Sequence, residues 1–313
     1  MGRAAYIRRR FVLMAFVLFG VSIVIFGMVR ILPGDPAFLI LGDRATDQKA
    51  AELREQLGLN RPIPEQYWRF VSGFVRGDMG QSLLYRQPVG DLVLTRVPVT
   101  LALAAYAMGL AAITTLTFGI LAAVNKGRWP DQLIRLGFLF ALTTPNFWFG
   151  ILLILLLGLT LHWFPVAGYG ETFAQHIWYL FLPALTLALQ LSAVLIRNLR
   201  SQIILTMRSD YVRTAHAKGL SASLVLLRHV LRNALLSTVT IFGLQFGFLV
   251  GGAIVVETVF ALPGTGQLLI QSITARDYPV VQAITVISAI LVIVVNLAVD
   301  LSYSFLDPRV TYE

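Results

Sequence analysis

Cysteine is absent from this 313-residue chain, so disulfides, thiolate metal sites and iron–sulfur clusters are excluded. Charge is scarce: Asp, Glu, Lys and Arg make up 13% of the residues, where a soluble domain carries about 25%. The four histidines (His162, His176, His216 and His229) do not cluster at ligand spacing, so no metal site is expected on this chain. No phosphate-binding loop is present either. That loop needs Gly, four residues, then Gly-Lys-Ser/Thr, and none of the three lysines sits in that context. Paired catalytic carboxylates and a Ser/His/Asp set within the apolar runs are also lacking. The chain is therefore expected to be no enzyme and to hold no cofactor; any ATP it depends on must be hydrolysed by another polypeptide.

What the chain has in abundance is apolar sequence, 57% of all residues in repeated long runs, which makes it an integral membrane protein. Residues 1–30 form a basic head (Arg3, Arg8, Arg9, Arg10) and a first span from Phe11 to Val29. That span is too long for a secretory signal core and ends in Arg30, so it is expected to stay uncleaved. Residues 31–96 form a soluble insert opened by the LPGDPA turn (Leu32–Ala37). It should hold two short amphipathic helices. One runs from about Asp47 to Leu57, with Ala50, Leu53 and Leu57 on one face and Gly58 as its stop. The other starts at Pro64, carries Tyr67, Phe70, Val71 and Phe74 on one face, and ends at Gly77. Residues 97–313 are the main helical part. Further spans are expected at Val97–Val124, Leu136–Leu161 (kinked at Pro145), Ile177–Ile196, Ala234–Val256 and Val280 to about Phe305. Trp163, Tyr169 and Trp178 suit an interfacial belt.

Six spans put both termini on one side. That side would hold fifteen Lys/Arg against four acids (Asp131, Asp210, Asp307, Glu313). The short loops on the other side would hold only Arg276 among bases. The positive-inside rule then makes the basic side, with both termini, cytoplasmic. The net charge of +9 is thus read as membrane topology and not as nucleic-acid affinity.

The stretch Arg197–Leu236 concentrates this charge, with Arg197, Arg200, Arg208, Arg213, Lys218, Arg228 and Arg232 against one acid, Asp210. Lys218 and Gly219 read as a helix stop, Ser221 as the cap of the next helix, and Leu220 as a staple onto Val225. The pattern is helix, sharp turn, helix. In the second helix Leu220, Leu224, Leu227 and Leu231 form the expected apolar stripe. By spacing alone such a segment is either a lever for another protein or a basic loop held by anionic lipid head groups.

The segment DYVRTAHAKGLS (Asp210–Ser221) followed by LRHVLRNAL (Leu227–Leu235) resembles the coupling loop of ABC importer permeases, in its dipeptide/oligopeptide/nickel variant. LPGDPA, PNFW, GGAIVVETVF, LPGTGQLL, RDYPVVQ and NLAVDLSYSFLDPR are similar to the same subfamily, in order along nearly the whole chain. The resemblance implies an all-α integral membrane protein of the type I ABC importer permease fold, with six transmembrane helices and a small helical extracytoplasmic insert between the first two. It implies the pore subunit of an ATP-driven, binding-protein-dependent importer in the bacterial inner membrane, for di- or oligopeptides or related solutes such as glutathione or nickel complexes. The implied partners are a second homologous permease, two cytoplasmic nucleotide-binding domains that hold ATP and Mg, and an extracytoplasmic solute-binding protein. The ATPase contact would fall on Asp210, Tyr211, Arg213, Thr214, Ala215, Lys218, Gly219, Leu220 and Ser221.

Two further features invite two explanations each, and a third has one. Gly243, Gly247 and Gly251 lie four apart on the expected fifth span; the spacing suits static helix packing, or a moving helix beside the transport path. Asp300, with Asn296 one turn before it, is the one acid expected well inside a span. It is either structural or an ion carrier, and the second case would make the chain an ion-coupled secondary transporter. Asp277 in RDYP is expected to cap the last helix, with Pro279 in its first turn.

Overall fold

The structure is a computed structural model. It describes residues 3–31, 38, 41, 46–56 and 58–306, without the side chains of 3–7, 29–31, 53, 56 and 299–306. The LPGDPA turn and most of the LDPR segment lie outside the described residues, as does the side chain of Asp300.

Among the described residues the named helices are α1 (Arg3–Ile31), α2 (Asp47–Gln56), α3 (Ile63–Val75), α4 (Val89–Val124), α5 (Trp129–Thr143), α6 (Asn146–Thr160), α7 (Phe173–Thr206), α8 (Asp210–Ala217), α9 (Ala222–Leu244), α10 (Phe246–Val259), α11 (Thr265–Thr274) and α12 (Tyr278–Leu306). Among the described residues five helices are long and apolar enough to cross a membrane, and six spans result if the bent pair α5–α6 counts as one.

Contacts divide the chain into two compact units. The first contains the chain up to Pro98 together with Gly264–Val294. Here the face expected on the second insert helix is used. Tyr67 and Phe70 of α3 meet Phe26 of α1, with ring centroids 5.2 and 5.9 Å apart, and the Tyr67 hydroxyl lies 2.7 Å from Ser22 Oγ. Phe74 packs on a core of Val89, Leu92 and Val93 from α4, Leu268 from α11, and Val280, Ala283 and Ile284 from α12. Gly58 and Gly77 follow α2 and α3 with φ of +66° and +81°, as helix stops require. Asp277 departs from expectation. Its Oδ2 accepts from Ser82 Oγ at 2.5 Å and from the Leu84 N–H at 3.0 Å, nearly two hundred residues back in the chain. The carboxylate therefore ties the insert's turn to the junction between α11 and α12 and does not cap α12.

The second unit contains Val99–Pro263 and Val295–Val310. Its centre is α7, which packs against α5, α6, α9 and α10. Its apolar window is 67% buried, whereas that of α1 is 11% buried. The helix is longer than its apolar run because Thr172 and Gln175 form a capping box that starts it at Phe173. Its other end runs on to Thr206, which makes Arg197 and Arg200 helical residues and not loop residues.

The expected kink at Pro145 is a break of 113° between α5 and α6. Proline excludes the α conformation from the residue before it, and Thr144 and Pro145 both turn out extended, with ψ of 132° and 138°. Two successive extended residues redirect the chain far more than one missing hydrogen bond would. The expected fifth span, Ala234–Val256, is likewise divided. A turn at Gln245 separates α9 from α10.

Candidate functional site

The segment α8–turn–α9 is built from its turn outward. Gly219 has φ of +79°, the left-handed conformation that glycine adopts without cost. Its N–H donates to the His216 carbonyl at 2.9 Å, and the Leu220 N–H donates to the Ala215 carbonyl at 3.4 Å. These two bonds close the end of α8 as a Schellman turn. Ser221 then starts α9, its Oγ accepting from the Leu224 N–H at 3.4 Å.

One side of this element is anchored. Val212 and Ala215 of α8, Leu220 of the turn and Val225 of α9 join Ala123 of α4, Leu199 and Ile203 of α7, and Val230 and Ala234 of α9 in one apolar cluster. Asn233 Nδ2 donates to the Tyr211 hydroxyl at 2.8 Å and adds a polar brace. The other side faces outward: Asp210, Tyr211, Arg213, Thr214, Lys218, Gly219 and Ser221 are exposed. Of the nine residues expected to bear a partner, Ala215 is buried and Leu220 half-buried, so these two hold the element down. The expected stripe on α9 also changes. Leu224 and Leu227 are exposed, while Val225, Val230 and Ala234 are buried. A π-helical segment, Leu226–Val230, explains this, since one extra residue per turn rotates the buried face and puts Val225 and Val230, five apart, on the same side.

The glycines expected on one span are split: Gly243 lies on α9, Gly247 and Gly251 on α10. Gly251 is exposed with open space where a Cβ would be, and the close approach falls on Gly252. A Cβ there would meet Asn146 Nδ2 at 3.1 Å and Leu187 at 3.3 Å.

Two charged sites escaped the sequence. Asp131, in the first turn of α5, is 1% exposed and accepts both Arg200 Nε at 2.7 Å and Arg200 Nη2 at 2.6 Å. It also accepts the Gly127 N–H at 2.9 Å, so the pair clamps α5 to α7. Glu257, one residue beyond the expected end of the fifth span, is wholly buried near the end of α10, where Thr100 Oγ1 donates to it at 2.7 Å. Its signal was periodicity: Ala253 and Glu257 are one turn apart on the stripe that holds Val256 and Phe260. Among the described residues no group of three or more His, Asp or Glu could hold a metal ion.

Long apolar helices, several of them packed on α7, define a multi-pass membrane protein. Residues 115–312 match the model of the binding-protein-dependent transport system inner membrane component, and residues 4–104 match its N-terminal companion. The chain belongs to this family. It is 42% identical over 308 residues to the glutathione transport system permease protein GsiC of Escherichia coli O6:H1, covering 98% of this chain and 99% of that protein. It is 41% identical over 308 residues, with the same coverage, to the protein of that name from Shigella flexneri serotype 5b. Among solved structures, an inward-facing MetNI methionine ABC transporter chain superimposes with a TM-score of 0.58 at 17% identity, covering 69% of this chain and 96% of that one. The fold is thus that of type I ABC importer permeases, and the chain is the non-catalytic, pore-forming subunit of a binding-protein-dependent importer. An ATPase and a binding protein are the partners this family implies.

Proposed function

We propose that this permease imports glutathione or short peptides, pairs with a second homologous permease, and is driven through α8 by an ATPase that holds the ATP and Mg. Both termini and the α8 projection would face the cytoplasm, as the excess of Arg and Lys on that side favours. The cargo class is supported by the 42% identity to a glutathione permease over nearly the full length of both chains.

The observation that carries the coupling role is the two-sidedness of α8. Its outer face presents exposed polar groups at a fixed turn, while its inner face shares one cluster with α4, α7 and α9. A push on the outer face moves packed helices together, because packed cores switch between discrete arrangements and do not yield gradually. Asp210, Tyr211, Arg213, Thr214, Lys218, Gly219 and Ser221 would touch the ATPase, and Ala215 and Leu220 would carry the displacement inward.

The test is uptake of labelled glutathione and of dipeptides into proteoliposomes holding the complete transporter and its binding protein. Uptake should require ATP inside and survive an uncoupler. Uptake that survives ATP depletion but collapses with the uncoupler would replace this mechanism with ion coupling.

A further inference from the structure

A cleft of about 430 Å3 opens between α5 and α7. Its walls are graded. Gln132 and Arg135 of α5 and Arg197 and Arg200 of α7 line the end nearest the α8 projection. Leu136, Phe138, Leu139 and Leu142 of α5 and Ile196 and Ala193 of α7 line the rest. The two helices run in opposite directions, yet both change from cationic to apolar the same way along the cleft. At 1.5 Å per residue each wall makes that change within about 10 Å.

The charge is unbalanced. Arg200 is committed to Asp131, which leaves Arg135 and Arg197 in excess at the rim, where both are exposed. Leu136 and Leu139 are exposed along the same opening, so the apolar part lies open to the outside of the unit. A polar solute would satisfy the arginines and leave the leucine wall unmatched. An aliphatic partner helix would match the wall and strand two guanidinium groups. An amphiphile with an anionic head matches both, since guanidinium pairs with phosphate oxygens in a bidentate way and acyl chains lie against leucine and phenylalanine.

We propose that this cleft is a binding site for one anionic phospholipid of the leaflet on the α8 side, with its phosphate on Arg135 and Arg197 and an acyl chain along Leu136, Leu139 and Phe138. The site lies beside the Asp131–Arg200 clamp, so an occupying lipid would brace α5 against the helix that feeds α8. The inference needs only the membrane setting of the chain and is independent of cargo and of the ATPase contact.

The test uses the complete transporter, delipidated and returned to nanodiscs of dioleoyl phosphatidylcholine with a few per cent dioleoyl phosphatidylglycerol. Lipid retained on release is counted by native mass spectrometry. The wild type should retain phosphatidylglycerol in preference to phosphatidylcholine. Arg135→Gln and Arg197→Gln should each weaken that retention roughly fivefold, and the double variant about thirtyfold. Leu139→Trp should reduce it by filling the apolar half, and Arg213→Gln on α8 should leave it unchanged. Equal retention by wild type and double variant, or no preference for the anionic lipid, would overturn the proposal. So would cross-linking of a Leu139→Cys variant to a second permease chain, which would show a protein occupant. ATP-driven uptake in the same preparations reports separately on the transport mechanism.

Discussion

Replacing Gly219 separates backbone strain from bulk. The φ of +79° there costs any L-residue about 1–2 kcal/mol. Nothing lies within 4 Å of the position a Cβ would take, so alanine meets no internal clash; tryptophan meets the same backbone cost and, at this exposed turn, has solvent to project into. The element survives that cost, because Val212 and Val225 are both buried in the cluster beneath it and each contributes about 1.5–3 kcal/mol. Gly219→Ala and Gly219→Trp should therefore lower the Tm of the solubilised permease by similar, small amounts. They should differ sharply in the assembled transporter. Alanine adds one methyl to an outward face and should keep uptake within about threefold of wild type. Tryptophan projects from the turn proposed to meet the ATPase, and should reduce uptake by about tenfold or more, as a loss of some 1.4 kcal/mol at the contact would. Initial uptake rates in proteoliposomes, ATPase retained on the purified permease, and Tm together make the comparison. A tryptophan variant that binds ATPase and transports like the alanine variant would refute the docking role of this turn.

Three further outcomes are expected. Asp131→Leu strands Arg200, which is 18% exposed, and should cost about 3 kcal/mol; Asp131→Leu with Arg200→Leu should recover most of the lost Tm, and a double variant as unstable as the single one would remove the clamp from the account. Gly252→Leu should destabilise by about 1–3 kcal/mol through collision with Asn146 and Leu187, while Gly251→Leu, with open space around it, should change Tm little. Asp300→Asn should leave ATP-driven uptake measurable, and full loss of uptake in a normally assembled complex would favour an ion path through that residue.

Local rules made much of this fold legible. The α3 face and the stop at Gly219 follow from spacing and glycine alone, and both hold because they involve residues within a few positions of one another. The errors arose where a single residue or a distant partner decides. The break expected at Pro145 is present, and only its size is illegible, because the sequence does not reveal that Pro145 leaves the helical region along with Thr144. The α9 stripe was drawn with α-helical spacing, and the one extra residue in the π-helical turn moved it from Leu224 and Leu227 to Val225 and Val230. The start of α7 had a readable signal, the Thr172 to Gln175 box, that hydropathy obscured. Asp131, Glu257 and Asp277 each take a partner between 69 and 195 residues away, and no periodicity encodes such pairs.

The bond from Ser82 to Asp277 limits how this permease can be remodelled. The carboxylate is wholly enclosed, and its two donors come from the short turn at Ser82 and Leu84. Trimming that turn would strand an anion with those donors gone and no solvent in their place, a far greater penalty than the loss of a few loop residues. Any redesign of positions 82–84 must therefore redesign position 277 with them.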